Sequence, residues 1–213
     1  MKYFSLLVAA LLLVSCGGSA ENESSANLSP IMKKALYDKG SLFYADFENY
    51  PKDKSQLPIG VFDSGTGGLT VLERLLELDR FNNITGEPGA DGILDFEGED
   101  FSYLADQANM PYGNYSSEKK DDYLKELVVK DALALLSSKY AENSTEHQNP
   151  KGVKKPVKII VIACNTATSY GLQDISTLLE LSGTGVKVIG VVNAGVNAFL
   201  DFVSDTLKEN ATP

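Results

Sequence analysis

The run Lys158-Ile159-Ile160-Val161-Ile162-Ala163-Cys164-Asn165-Thr166-Ala167-Thr168 admits few folds. Its apolar centre is entirely β-branched, which suits an extended strand buried on both faces, as in a parallel sheet. A helix-compatible stretch follows at once. The same pattern recurs along the chain. It predicts strands over 58–62, 101–105, 157–162 and 186–192, and helices over 68–80, 117–140, 166–181 and 195–208. Strands alternating with helices imply an α/β domain, a parallel sheet flanked by helices on both faces. In open sheets of that kind, ligands gather beyond the carboxyl ends of the strands. Cys164 falls at such an end, just before a helix start that presents unpaired N–H groups and partial positive charge. Such a field favours thiolate, the form that acts as a base or nucleophile. Free cysteine is also among the residue types most often simply buried, so position alone leaves a packing role open.

Two further segments stand at predicted strand ends. Pro58-Ile59-Gly60-Val61-Phe62-Asp63-Ser64-Gly65-Thr66-Gly67-Gly68-Leu69-Thr70 is a short apolar strand that breaks into a glycine-rich turn and a helix. Met110-Pro111-Tyr112-Gly113 follows the strand at 101–105. The glycine turn is a poor dinucleotide fingerprint, since Thr70 stands where G-x-G-x-x-G needs its third glycine. No Gly-Lys-Ser/Thr occurs, so a Walker A loop is absent. A tight strand-to-helix turn accounts for the glycines through their backbone freedom. Asp63 then either caps that turn or serves a ligand beside Ser64.

Together, Phe62 to Thr70, Pro111-Tyr112-Gly113 and Cys164-Asn165-Thr166-Ala167 resemble the signatures of the glutamate racemase family, within the aspartate/glutamate racemase superfamily. The first and third are long and specific. The resemblance covers about residues 57–200 and is broken by two insertions, at 82–100 and 141–156. It implies an α/β fold like the first domain of those enzymes, and interconversion of L- and D-glutamate, or of aspartate, without a cofactor. Position by position, it implies that Cys164 moves the α-proton and that Asp63 assists it from beside the substrate ammonium. Ser64, Tyr112, Gly113, Asn165 and Thr166 match substrate-binding positions, with Asp63 among them. The expected pocket gathers Asp63, Tyr112 and Cys164.

The chain departs from the family where the chemistry is most demanding. Racemisation without a cofactor needs two acid/base groups on opposite faces of the α-carbon, and the family's second cysteine lies in a Gly-Cys-Thr-His motif that this sequence does not contain. Val191-Val192-Asn193-Ala194-Gly195 replaces the usual Pro-Gly after the fourth strand, and Ala108-Asn109-Met110 lacks the Arg that commonly precedes Pro-Tyr-Gly. The chain stops at Pro213, about where a second domain should begin, so residues 193–213 read as its start and the second domain is largely absent. Two descriptions fit: the amino-terminal part of a longer racemase, or a shortened racemase-like protein that binds a small amino acid without turning it over. A cysteine hydrolase fits worse, because no histidine stands ready as its base.

The amino terminus carries a separate message. Met1-Lys2, the apolar run Leu6 to Val14 and the lipobox-like Leu13-Val14-Ser15-Cys16 predict a lipoprotein signal peptide over 1–15, with lipidation of Cys16. An ordinary cleaved secretory signal is the alternative. Residues 16–56 then form a polar tether and an extension, ahead of a racemase-like domain over 57–192. This predicts a lipid-anchored protein of the bacterial envelope, whereas glutamate racemase normally supplies D-glutamate to peptidoglycan precursors in the cytoplasm. Removal of the signal takes away one positive charge, Lys2, and moves the net charge from −10 to −11. Such acidity disfavours nucleic acid and anionic membrane surfaces, so the lipid is the only membrane attachment expected. Cys16 and Cys164 are the only cysteines, and with Cys16 acylated no internal disulfide can form. The sole histidine, His147, lies in a polar stretch, and no Cys/His cluster suggests a metal. The oligomeric state is left open, a homo-oligomer included.

Overall fold

The computed structural model describes residues 28–141, 151–198 and 200. The signal peptide, Cys16, His147 and most of the helix expected at 195–208 lie outside them. The described residues open with helix α1 (Pro30–Tyr37), then a short 3-10 turn. Strand β1 (Ile59–Asp63) leads into α2 (Gly68–Leu76), and β2 (Phe101–Ala105) into α3 (Gly113–Ser117) and α4 (Asp121–Leu136). A small antiparallel ribbon, β3 (Lys139–Tyr140) with β4 (Gly152–Val153), precedes β5 (Ile159–Ile162), α5 (Asn165–Ser182) and β6 (Lys187–Gly190). The four main strands form one parallel sheet in the order β2-β1-β5-β6.

This is the expected α/β architecture, and its core lies where the β-branched strands predict. β1 is buried along its whole length because it has a strand on either side and helices above and below. Gly60, Phe62, Ile160, Ile162 and Gly190 share one face by register. That face meets α4 and α5: a Cβ added at Gly60 would meet Leu135 Cδ1 at 3.1 Å, and one at Gly190 would meet Thr168 Cγ2 at 2.3 Å. The two helices also pack on each other, closely enough that Val128 leaves no room for a side chain at Gly171. The second face is covered by α2 more sparsely, and Ile189 on that side is 45% exposed. The extension before β1 packs on the domain, with Ile31, Met32 and Ala35 buried and the Tyr50 hydroxyl donating to Val157 O at 2.5 Å.

Three expectations are corrected. The helix expected over 117–140 is confined to α4, Asp121–Leu136, because Lys119, at φ 58°, separates it from the short α3 that ends at Ser117. The strand expected over 186–192 ends at Gly190, and residues 191–198 are helical. The glycines after β1 do not supply left-handed backbone: Gly67 has φ −62°, and the positive-φ glycines lie elsewhere. Gly68 is required by close approach instead, since a Cβ there would sit 2.7 Å from Asp63 Cβ and 2.9 Å from Ala163 Cβ. The 82–100 insertion is a surface loop tied to the segment before it by the carboxylates of Asp79 and Asp95. Asp95 accepts from Arg80 and Phe81 N–H, and Asp79 from Asp91 and Gly92 N–H.

Candidate active site

The carboxyl ends of β1, β2 and β5 lie side by side, and each carries one of the three motifs. β5 ends at Ile162, and Cys164 then caps α5, its sulfur accepting the Ala167 N–H at 3.4 Å. The thiol therefore sits in the positive field of the helix start. β1 ends at Asp63, and the next residue, Ser64, brings its hydroxyl to 3.4 Å from Cys164 Sγ. Two motifs separated by 100 residues thus meet through side chains. Asn165 is exposed and Thr166 half-buried on the first turn of α5, beside the thiol, while Cys164 itself is 7% exposed.

Asp63 is fully engaged by backbone. Its Oδ1 accepts Ser64 N–H at 2.8 Å and its Oδ2 accepts Gly68 N–H at 2.7 Å. The carboxylate thereby closes the turn and caps α2, the structural alternative raised by the sequence. It also acts on Tyr103, whose phenol is pushed up first by burial and then by the Asp63 charge, and whose hydroxyl donates to Gly65 O at 3.3 Å. Tyr103 is a neighbour of the turn that no motif singles out.

Tyr112 departs from the expected pocket. Its side chain is 1% exposed and turns inward, the hydroxyl lying 2.6 Å from both Asp106 Oδ2 and Asp131 Oδ2. The rest of this motif, Met110, Pro111 and Gly113, is exposed. A cavity of about 210 Å³ opens at the turn, lined by Asn109, Met110, Pro111 and Asn114 among others. Asp63, Ser64 and Cys164 are not among its lining residues. The convergence is therefore between Ser64, Cys164 and the Asp63 turn, with the Tyr112 ring behind it in the core. Among the described residues no group of three or more acidic, His or Cys side chains is placed to hold a metal ion, and no helix is long and apolar enough to cross a membrane.

A glutamate racemase of Deinococcus radiodurans is 32% identical over 163 residues, 76% of this chain and 41% of that protein. One from Lactobacillus johnsonii is 33% identical over 141 residues, 66% of this chain and 37% of that protein. Over this stretch the chain is homologous to glutamate racemases. It spans about two fifths of the length of these curated relatives. Similar solved structures include glutamate racemase from Campylobacter jejuni, 29% identical, covering 70% of this chain and 42% of that one at a TM-score of 0.40. Another is the Thermus thermophilus glutamate racemase in complex with β-chloro-D-alanine, 31% identical, covering 66% and 38% at a TM-score of 0.37. No family model matches the chain.

Proposed function

We propose that this chain provides one half of a glutamate racemase site, in which Cys164 moves the α-proton of glutamate, or of the shorter aspartate. The observation that carries the reading is the approach of Ser64 Oγ and Cys164 Sγ to 3.4 Å, which joins two motifs distant in sequence at adjacent strand ends. The thiolate removes the α-proton. The Ser64 hydroxyl and the groups of the first α5 turn, Asn165 and Thr166, hold the substrate carboxylates, and Gly113 contributes backbone from the neighbouring turn. Asp63 fixes the turn that presents Ser64 and contributes negative charge on the ammonium side. The chemistry needs no cofactor: it needs a tuned base, a positioned substrate and an acid on the opposite face. The binding half of the proposal is tested by titrating L-glutamate and L-aspartate against the ¹⁵N-labelled chain. Amide signals of Ser64, Gly113, Asn165 and Thr166 should move saturably; shifts confined to other surfaces would refute the site.

From the separate lipobox-like amino terminus we propose that the mature protein lies at the bacterial envelope, anchored through lipid on Cys16 and held off the bilayer by the polar stretch that follows. Two or more acyl chains give anchoring well beyond the marginal binding of one. Cys16→Ser should abolish incorporation of radiolabelled palmitate and leave the unprocessed or alternatively cleaved protein. Wild-type protein that retains Met1 and fractionates with cytosol would overturn this and return the protein to the cytoplasm.

A further inference from the structure

The contacts of Tyr112 carry more than packing. Its hydroxyl is 2.6 Å from Asp106 Oδ2 and 2.6 Å from Asp131 Oδ2, yet a phenol has a single proton to give. Only one of the two contacts can use it. The other must be made by a protonated carboxyl donating to the phenol oxygen. Asp106 is already the acceptor of Asn109 Nδ2, at 2.9 Å from each of its oxygens, and it is partly exposed after β2. Those donors suit an anion. Asp131, on α4, is 7% exposed and has no such donor. No ion pair of the described residues includes either aspartate.

We infer that Asp131 is a positioning residue: as a carboxylic acid it donates to the Tyr112 hydroxyl, which donates to Asp106, and this relay holds the Tyr112–Gly113 turn at the end of β2. Its bearing on the reaction rests on the reading of that turn as part of the glutamate site. The relay ties three elements together, α4 through Asp131, the start of α3 through Tyr112 and the β2 exit through Asp106. The titratable groups that bear on Asp131 are Tyr112 and Asp106, and Tyr115 of α3 packs edge-on against the Tyr112 ring. Burial above all, and then the Asp106 charge, raise the Asp131 carboxyl to about 7, against a lowering by the Tyr112 hydrogen bond. Loss of its proton would leave two carboxylates around one phenol proton in a buried site, and the turn would loosen.

The sign of the pH dependence follows. Between the ordinary value of 3.8 and about 7, folded Asp131 keeps a proton that the unfolded chain has released. Its contribution to stability therefore declines as pH rises through that window. Asp131→Asn keeps a donor toward the phenol and removes the titration. The folding equilibrium constant of wild type relative to Asp131→Asn should fall with rising pH, by at most tenfold per pH unit for one proton, and level off above about pH 7. The Asn114 N–H donates to Pro111 O and the Tyr115 N–H to Tyr112 O, and hydrogen-exchange protection of these two amides should fall over the upper part of the window in wild type and stay flat in Asp131→Asn. A wild-type to Asn ratio independent of pH, or protection at Asn114 and Tyr115 that does not move, would overturn the inference. Asp131→Ala should lose that protection at every pH; should it fail to fold, the Asn comparison decides alone. Because neither readout needs substrate, a chain that shows the pH linkage but ignores L-glutamate would refute the site reading and leave the relay standing.

Discussion

Incubated with L-glutamate in D₂O, the 213-residue chain should carry deuterium into the α-position with configuration retained, and should form little D-glutamate. A thiolate that takes the α-proton exchanges it with solvent and returns deuterium to the same face. Inversion requires a second acid on the other face. With Cys16 predicted to be acylated, this sequence offers Cys164 as its one thiol for the task. Cys164→Ala should reduce exchange by about 10²–10⁴-fold, the usual worth of a positioned acid/base group. Vigorous D-glutamate formation that depends on Cys164 would overturn the two-thiol requirement. Absence of exchange in a chain that still binds glutamate would mark it as an amino-acid-binding protein. Ser64→Ala should cut the same exchange less steeply, because the hydroxyl orients and the thiol reacts.

The second large effect is on stability. Phe62 is 0% exposed at the centre of the sheet, on the face that meets α4 and α5, with strands on both sides. Phe62→Ala should cost about 3–5 kcal/mol, because the lost ring leaves a cavity that flanking strands cannot collapse to fill. For a domain of this size, that corresponds to a fall in melting temperature of about 10 °C. The damage should reach the site, since Phe62 O accepts the Ala163 N–H and Asp63 follows directly. Denaturant melts give the stability, and a cost under about 1 kcal/mol would show that the core closes over the gap.

The elements that were legible in the sequence are those whose physics is local. Ile159 to Ile162 is a β-branched run too short for a helix, and it forms β5. Cys164-Asn165-Thr166 opens α5 one residue before the expected start, and Gly183, with φ 65°, closes it as a left-handed cap. What escaped depends on distant partners. The break between α3 and α4 falls at Lys119, a residue with no turn signature, so helical periodicity ran across it. Asp131 is one of several charged residues in its helix and carries no motif; only the fold brings Tyr112, nineteen positions earlier, against it. Tyr112 matches its motif as a ligand position, and the burial of its ring is a matter of packing that the motif does not describe. Of the two descriptions raised for Asp63, its hydrogen bonds are those of a cap.

The strand order has a consequence for how the chain acquires its structure. Ile59 pairs with Phe101 on one side and with Ile159 on the other. Parallel neighbours cannot zip from a tight hairpin, so each pairing waits for a long intervening segment to close. Synthesised from the amino end, β1 gains β2 first and stays open on its other side until residue 159 emerges. The contact between Ser64 and Cys164 belongs to that late closure, which makes the thiol's environment a reporter of completed folding. A chain stalled between 105 and 159 presents the bare side of β1 as a template for foreign strands. Assembly of this sheet is therefore paced by non-local closure, in the slow regime of such topologies.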